Sequence, residues 1–140
     1  MNRTEIIAKA AAGRPDALEF LQVYTDRAHL IDDIVDKDRE VTAEALAESE
    51  MRWMFTLSKN PFFLAHKDKL LPLMASGMNA WLDSNGMEDG PAKDVVKGTW
   101  HEVVWQVALI CGGWRYMRAV SGQCRDWDFE PINVPLRNGE

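Results

Sequence analysis

Cysteine is scarce in this chain. Only Cys111 and Cys124 occur among 140 residues. Neither sits at a metal-binding spacing, which excludes a disulfide scaffold or zinc module and makes a reducing, cytoplasmic setting the expectation. Cys111 lies within an apolar run and reads as a buried free thiol. Long apolar runs are missing too. The longest, residues 103–114, contains Gln106 and is too short to cross a bilayer. The opening MNRTEIIAKAAAG carries an early glutamate and no sustained apolar stretch, so it does not read as a signal peptide. Positive charge is in deficit. The net charge is −6 and the pI near 5.1, which argues against nucleic acid or an anionic membrane as partner. Nucleophile motifs and phosphate loops are absent. His101-Glu102 is followed by Trp105 where a zinc protease needs a second histidine.

What is present is an ordinary globular balance, 46% apolar and 27% charged, that argues against disorder. A chain of this length makes one domain and buries roughly two-thirds of the surface its unfolded form exposes. Helical punctuation recurs. Residues 3–12 form a short helix closed by Gly13, and Pro15 opens a long amphipathic helix to Asp36. KDREV is a polar turn, and Thr42 caps a helix from Ala43 to about Lys59 that carries Leu46, Trp53, Met54 and Leu57 on one side. So short a connection favours an antiparallel pair. Asn60-Pro61 marks another start, over PFFLAHK. Asp68 is placed to cap a further helix to about Asp83, with Pro72 tolerated in or near its first turn. SNGMEDGP is a loop.

Pro91 then opens the longest helix, to about Val120. Between Val103 and Trp114 it is apolar nearly all round, so it should be central and buried. Trp100, Val104, Val107, Cys111 and Trp114 step along it by threes and fours. Gly112-Gly113 within it costs roughly 1 kcal/mol per glycine, which a close neighbour, a bulky ring or a kink should explain. Six tryptophans are many for this length; Trp53, Trp81, Trp100, Trp105 and Trp114 are expected in the core. The expectation is an all-α, single-domain bundle of about five helices over residues 1–122. An extended tail, 123–140, would pack Trp127, Phe129, Ile132 and Val134 on the body or on a neighbouring chain, giving a homo-oligomer.

The stretch HLIDDIVD, residues 29–36, breaks several local rules. On a wheel of 100° per residue, Gln22, Thr25, Asp26, His29, Asp32, Asp33 and Asp36 fall in one stripe, with Phe20, Val23, Tyr24, Ile31, Ile34 and Val35 opposite. A solvated polar face accounts for the pattern. Three details oppose that account. Asp32, Asp33 and Asp36 make like-charge pairs at helical spacing, costing about 0.2–0.5 kcal/mol each, with no cation on the stripe. Aspartate is a poorer helix former than glutamate, and the carboxylates sit at the negative end of the helix dipole. A bound Mg²⁺ or Mn²⁺ would offset all three.

DDIVD has the form DDxxD and resembles the aspartate-rich motif of isoprenoid diphosphate synthases, all-helical enzymes in which it holds Mg²⁺ against a diphosphate. Paired acidic helices also mark the all-α nucleotide pyrophosphatases, nearer this chain in size. Both resemblances cover Asp32, Asp33 and Asp36 alone. No second DDxxD and no ExxE or ExxD pair accompanies them.

If a metal binds, a second acidic helix should face the first. Glu44 and Glu48, one turn apart, are the nearest candidates, although an exposed face explains them as well. His29 is a candidate ligand or proton carrier and Glu102 a candidate catalytic carboxylate. Beside Glu102, His101 reads more simply as a core histidine held by a hydrogen bond. Arg115 and Arg118, three apart, could contact phosphate. Two functions follow: a metal-dependent hydrolase-like protein acting on a phosphorylated small molecule, or a non-catalytic helical protein that works by association. They divide on whether the acidic stripe faces another element across a cleft.

Overall fold

The computed structural model describes residues 2–125, and among them every regular element is helical. The elements are α1 (Arg3–Ala11), α2 (Pro15–Asp36), α3 (Ala43–Lys59), α4 (Pro61–Asn85), α5 (Pro91–Lys97), a 3₁₀ turn (Gly98–His101), α6 (Glu102–Gly112) and α7 (Trp114–Cys124). Their ends follow local chemistry. Asn2 accepts from the Glu5 amide at 2.9 Å and Thr42 from Ala45 at 3.1 Å, each covering a donor the first turn leaves open. Pro15, Pro61 and Pro91 stand at first helical positions, where the missing N–H costs nothing. The tail residues Trp127, Phe129, Ile132 and Val134 lie outside the described residues.

The core forms where α1, α2, α4 and α6 meet. α6 is the central element, with Val103, Val104, Trp105, Val107 and Ala108 all buried. Phe20 of α2 is fully enclosed, its ring centroid 5.6 Å from that of Phe63, 5.9 Å from Tyr24 and 6.2 Å from Phe62. Asn60 ties two helices at their starts. Its Oδ1 accepts from the Phe63 amide at 2.8 Å, while its Nδ2 donates to the Asp16 carbonyl at 2.9 Å and to Glu19 at 3.1 Å. Asn60 is only 2% exposed, so Asn60→Ala strands the buried Phe63 amide on α4 and a half-buried carbonyl on α2. Chemical denaturation should read a loss of about 2–3 kcal/mol.

Two expected boundaries move. No helix begins at Asp68, since α4 runs unbroken from Pro61 to Asn85 through Pro72. Pro72 cannot bond the Asp68 carbonyl, but both residues are exposed, and water can take that carbonyl. The expected helix over 91–120 is divided by the 3₁₀ turn and again at Gly113, whose φ of 88° and ψ of 178° suit glycine alone. Gly112 explains itself through Tyr116, whose ring covers it so closely that a Cβ there would collide. The Tyr116 hydroxyl donates onward to the Lys9 carbonyl of α1. Because the chain turns at Gly113, Trp114 leaves the expected stripe and is 64% exposed. Cys111 is only partly buried, whereas Cys124 is buried. No helix among the described residues is long and apolar enough to cross a membrane.

Candidate functional site

The C-terminal half of α2 is inverted relative to an ordinary surface helix. Ile34 and Val35 are 40% and 48% exposed. The side chains of Asp32 and Asp33 retain only 23% and 22%. Thr25, on the same polar stripe, is fully buried and donates to the Leu21 carbonyl at 2.8 Å. Asp32 and Asp33 therefore turn toward a cavity of about 740 Å³, while Asp36, at the helix end, stays exposed outside its lining. Its walls come from α2, α3, α4, α5 and the 3₁₀ turn. Asp32 and Asp33 stand beside Trp53, Trp81, Trp100 and Met78.

Asp32 accepts from the Trp81 indole N–H at 3.0 Å. Lys97 of α5 sits 3.3 Å from both Asp32 and Asp36, and Arg39 is 2.6 Å from Asp33. The like-charge repulsion that the wheel leaves uncompensated is thus relieved by cations from other elements. Burial pulls the Lys97 ammonium down, but Asp32 and Asp36 outweigh it and leave its pKa raised. Asp32, Asp36 and Asp38 bring carboxylate oxygens within 4.8 Å of one another, and they are the residues that could hold a metal ion. Asp38 was not among the sequence candidates. Its signal is its position two residues past Asp36, in the turn that folds back over the helix end.

The other sequence candidates scatter. Asp33 turns to Arg39 and lies outside the close trio. Glu44 is exposed on the first turn of α3. Glu48 borders a separate groove with Arg3, Asp26, Arg39 and Arg52, so neither glutamate faces the carboxylate trio. Glu102 begins α6 and pairs with Arg125 at 2.8 Å, where its charge also suits the helix dipole. Arg115 and Arg118 are exposed on α7 and line neither cavity. The cations that do line the large cavity are Arg27 and Lys97. His101, 6% exposed, has Nδ1 3.1 Å from the Gly98 carbonyl, as a core histidine should.

No protein-family model, curated protein or solved structure matches this chain. The site has to be read from its own chemistry.

His29 lies on the wall shared by the two cavities. Its ring meets Trp100 edge-on, centroids 5.5 Å apart, and its shielded Nε2 has no partner among the described residues. Burial lowers its pKa below the usual 6.5, with Arg3 and His101 adding to the effect and Asp33 and Asp32 opposing it. The neutral ring is thus favoured in the fold. Its contribution to stability is complete above the unfolded value and is lost as pH falls through the lower folded value. The melting midpoint should therefore drop on acidification below about pH 6.5, and His29→Gln should flatten that slope.

Proposed function

We propose that the cavity binds a phosphorylated small molecule and that Asp32, Asp36 and Asp38 hold a Mg²⁺ or Mn²⁺ ion at its wall. The observation that carries this reading is the convergence of three carboxylates, Asp32 half-buried and Asp36 and Asp38 exposed, at the rim of a cavity of ligand size. Lys97 supports it from a different direction: an ammonium between Asp32 and Asp36 marks a place where positive charge is stabilised. An arriving ion would displace Lys97, leaving it and Arg27 to meet phosphate oxygens. His29, favoured in its neutral form and with no partner at Nε2 among the described residues, is the group suited to accept or deliver a proton near the ion. The ion would neutralise phosphate charge and orient a water for attack. Hydrolysis is the reaction class proposed.

The test is a thermal melt in chelator and then in Mg²⁺ or Mn²⁺, on wild type, Asp36→Asn and Lys97→Met. An ion at a hundred times its Kd adds about 2.7 kcal/mol. The midpoint should rise in wild type, rise further in Lys97→Met, and stay unchanged in Asp36→Asn. A flat response in both wild type and Lys97→Met ends the metal reading.

A second reading, association without metal, draws on α3. Thr56 is the only buried residue of that helix, while Leu46, Met51, Met54 and Phe55 are all more than 40% exposed. A stripe of this kind on one helix is a surface for a partner. Light scattering coupled to gel filtration decides: a monomer at every concentration removes a homo-oligomer from consideration.

A further inference from the structure

An ion and a phosphate fill only a small part of a cavity this size, and the remainder is lined by aromatic rings together with Ile31, Leu71, Met74 and Met78. Tyr24, Trp53 and Trp100 form one continuous wall, with ring centroids 6.4 Å apart for Tyr24–Trp53 and 5.8 Å for Tyr24–Trp100. Trp81 adds a fourth ring to the lining, anchored to Asp32 through its indole N–H. Ring faces carry negative quadrupole density and attract cations. The fold already uses that attraction at this wall, since the Arg27 guanidinium lies 5.0 Å from the Trp53 centroid.

The charge of the lining points the same way. Four carboxylates, Asp32, Asp33, Asp38 and Asp94, line the cavity against two permanent cations, Arg27 and Lys97, with Asp33 also met by Arg39 from outside the lining. Arg27 is engaged by Glu50 and Lys97 by Asp32 and Asp36. Asp38 and Asp94 have no ion pair among the described residues. A wholly anionic ligand would meet this excess unfavourably, and an uncharged one would leave it unused.

We infer that the aromatic part of this cavity binds an organic cation, a quaternary ammonium or protonated amine on an apolar body, against Tyr24, Trp53 and Trp100 with Asp94 supplying counter-charge. The inference rests on the cavity being a small-molecule site and does not need the metal ion. If both readings hold, the ligand carries its cationic nitrogen at the ring wall and its phosphate near Asp36.

The experiment follows tryptophan fluorescence in the presence of chelator while the full chain is titrated with benzyltrimethylammonium, with choline, and with 3,3-dimethylbutan-1-ol, the neutral carbon analogue of choline. Saturable quenching by benzyltrimethylammonium is expected, with choline binding roughly 3- to 30-fold more tightly than its neutral analogue. Trp53→Leu and Asp94→Asn should each weaken the cations by several-fold. Trp114→Leu, at an exposed position away from the cavity, should leave their affinity unchanged. Equal affinity for choline and the alcohol overturns the inference on wild type alone, whatever the variants do. So does the absence of saturable binding by either cation. Because no metal is present, failure here leaves the metal melt standing, and failure of the melt leaves this result standing.

Discussion

Gly77→Ala should lower stability by roughly 2–3 kcal/mol and spoil the cavity in the same step. Gly77 is buried in α4, where the helix backbone presses on the 3₁₀ turn. A Cβ at that position would lie 2.8 Å from the Trp100 Cα and 3.1 Å from its Cβ. A backbone atom cannot swing aside as a side-chain tip does, so α4 and the turn must separate. The Trp100 carbonyl accepts from the Tyr24 hydroxyl at 3.0 Å, and that link to α2 would be disturbed as well. Gly86→Ala is the control. The nearest atom to a Cβ there is 3.7 Å away, so its effect should stay within about 0.5 kcal/mol. Urea denaturation of the two variants, with fluorescence titration of the folded proteins, checks both parts. Equal stability of the two would mean that α4 does not pack on the turn at this closeness.

The second large effect is Phe20→Ala, expected to cost about 4 kcal/mol. Phe20 is fully enclosed, and its ring is shared among Tyr24 of its own helix and Phe62 and Phe63 of α4. Removing it takes away the transfer free energy of the ring and leaves a void that stiff aromatic neighbours fill poorly. For a domain of this size the melting midpoint should fall by roughly 12 °C. Phe20→Leu, which keeps most of the volume, should lose much less. Similar losses for both would show that the site collapses more readily than its packing suggests.

The parts of the fold legible in the sequence are those set by chemistry within a few residues. Thr42 as a cap, Asn60-Pro61 as a helix start, Pro15 and Pro91 as openers, and the burial of residues 103–108 all follow from local rules. The division at Gly113 was harder to see, because an apolar run continues to Trp114 on both sides of it. Gly112-Gly113 signals a kink, a bulky ring or a close neighbour without choosing among them, and the structure has both the turn at Gly113 and the Tyr116 ring over Gly112. Asp68 misled in the opposite direction: a good capping residue precedes a proline, yet on an exposed face neither need interrupt α4.

At the candidate site, the crowding of Asp32, Asp33 and Asp36 was visible. Arg39, six residues past Asp33, lies within local reach, but Lys97 arrives from a helix some sixty residues further along and leaves no local trace. The inward turn of Asp32 and Asp33 was hidden for the same reason. A wheel shows which residues share a side, but not which side the neighbouring helices cover.

The clasp between the first and last described helices bears on how the chain is made. α1 buries Ile6, Ile7, Ala10 and Ala11 against α2, α6 and α7, and Tyr116 and Gln123 both reach back to Lys9. During synthesis α1 leaves the ribosome ahead of its partners, and two of the three follow about a hundred residues later. At 5–20 residues per second it spends on the order of ten seconds with most of its apolar face uncovered. Closing so long a loop also places this docking among the slow, non-local steps of folding. A surface made about a hundred residues before its partners is thus among the last to be sealed, and until then α1 offers the growing chain an uncovered apolar face.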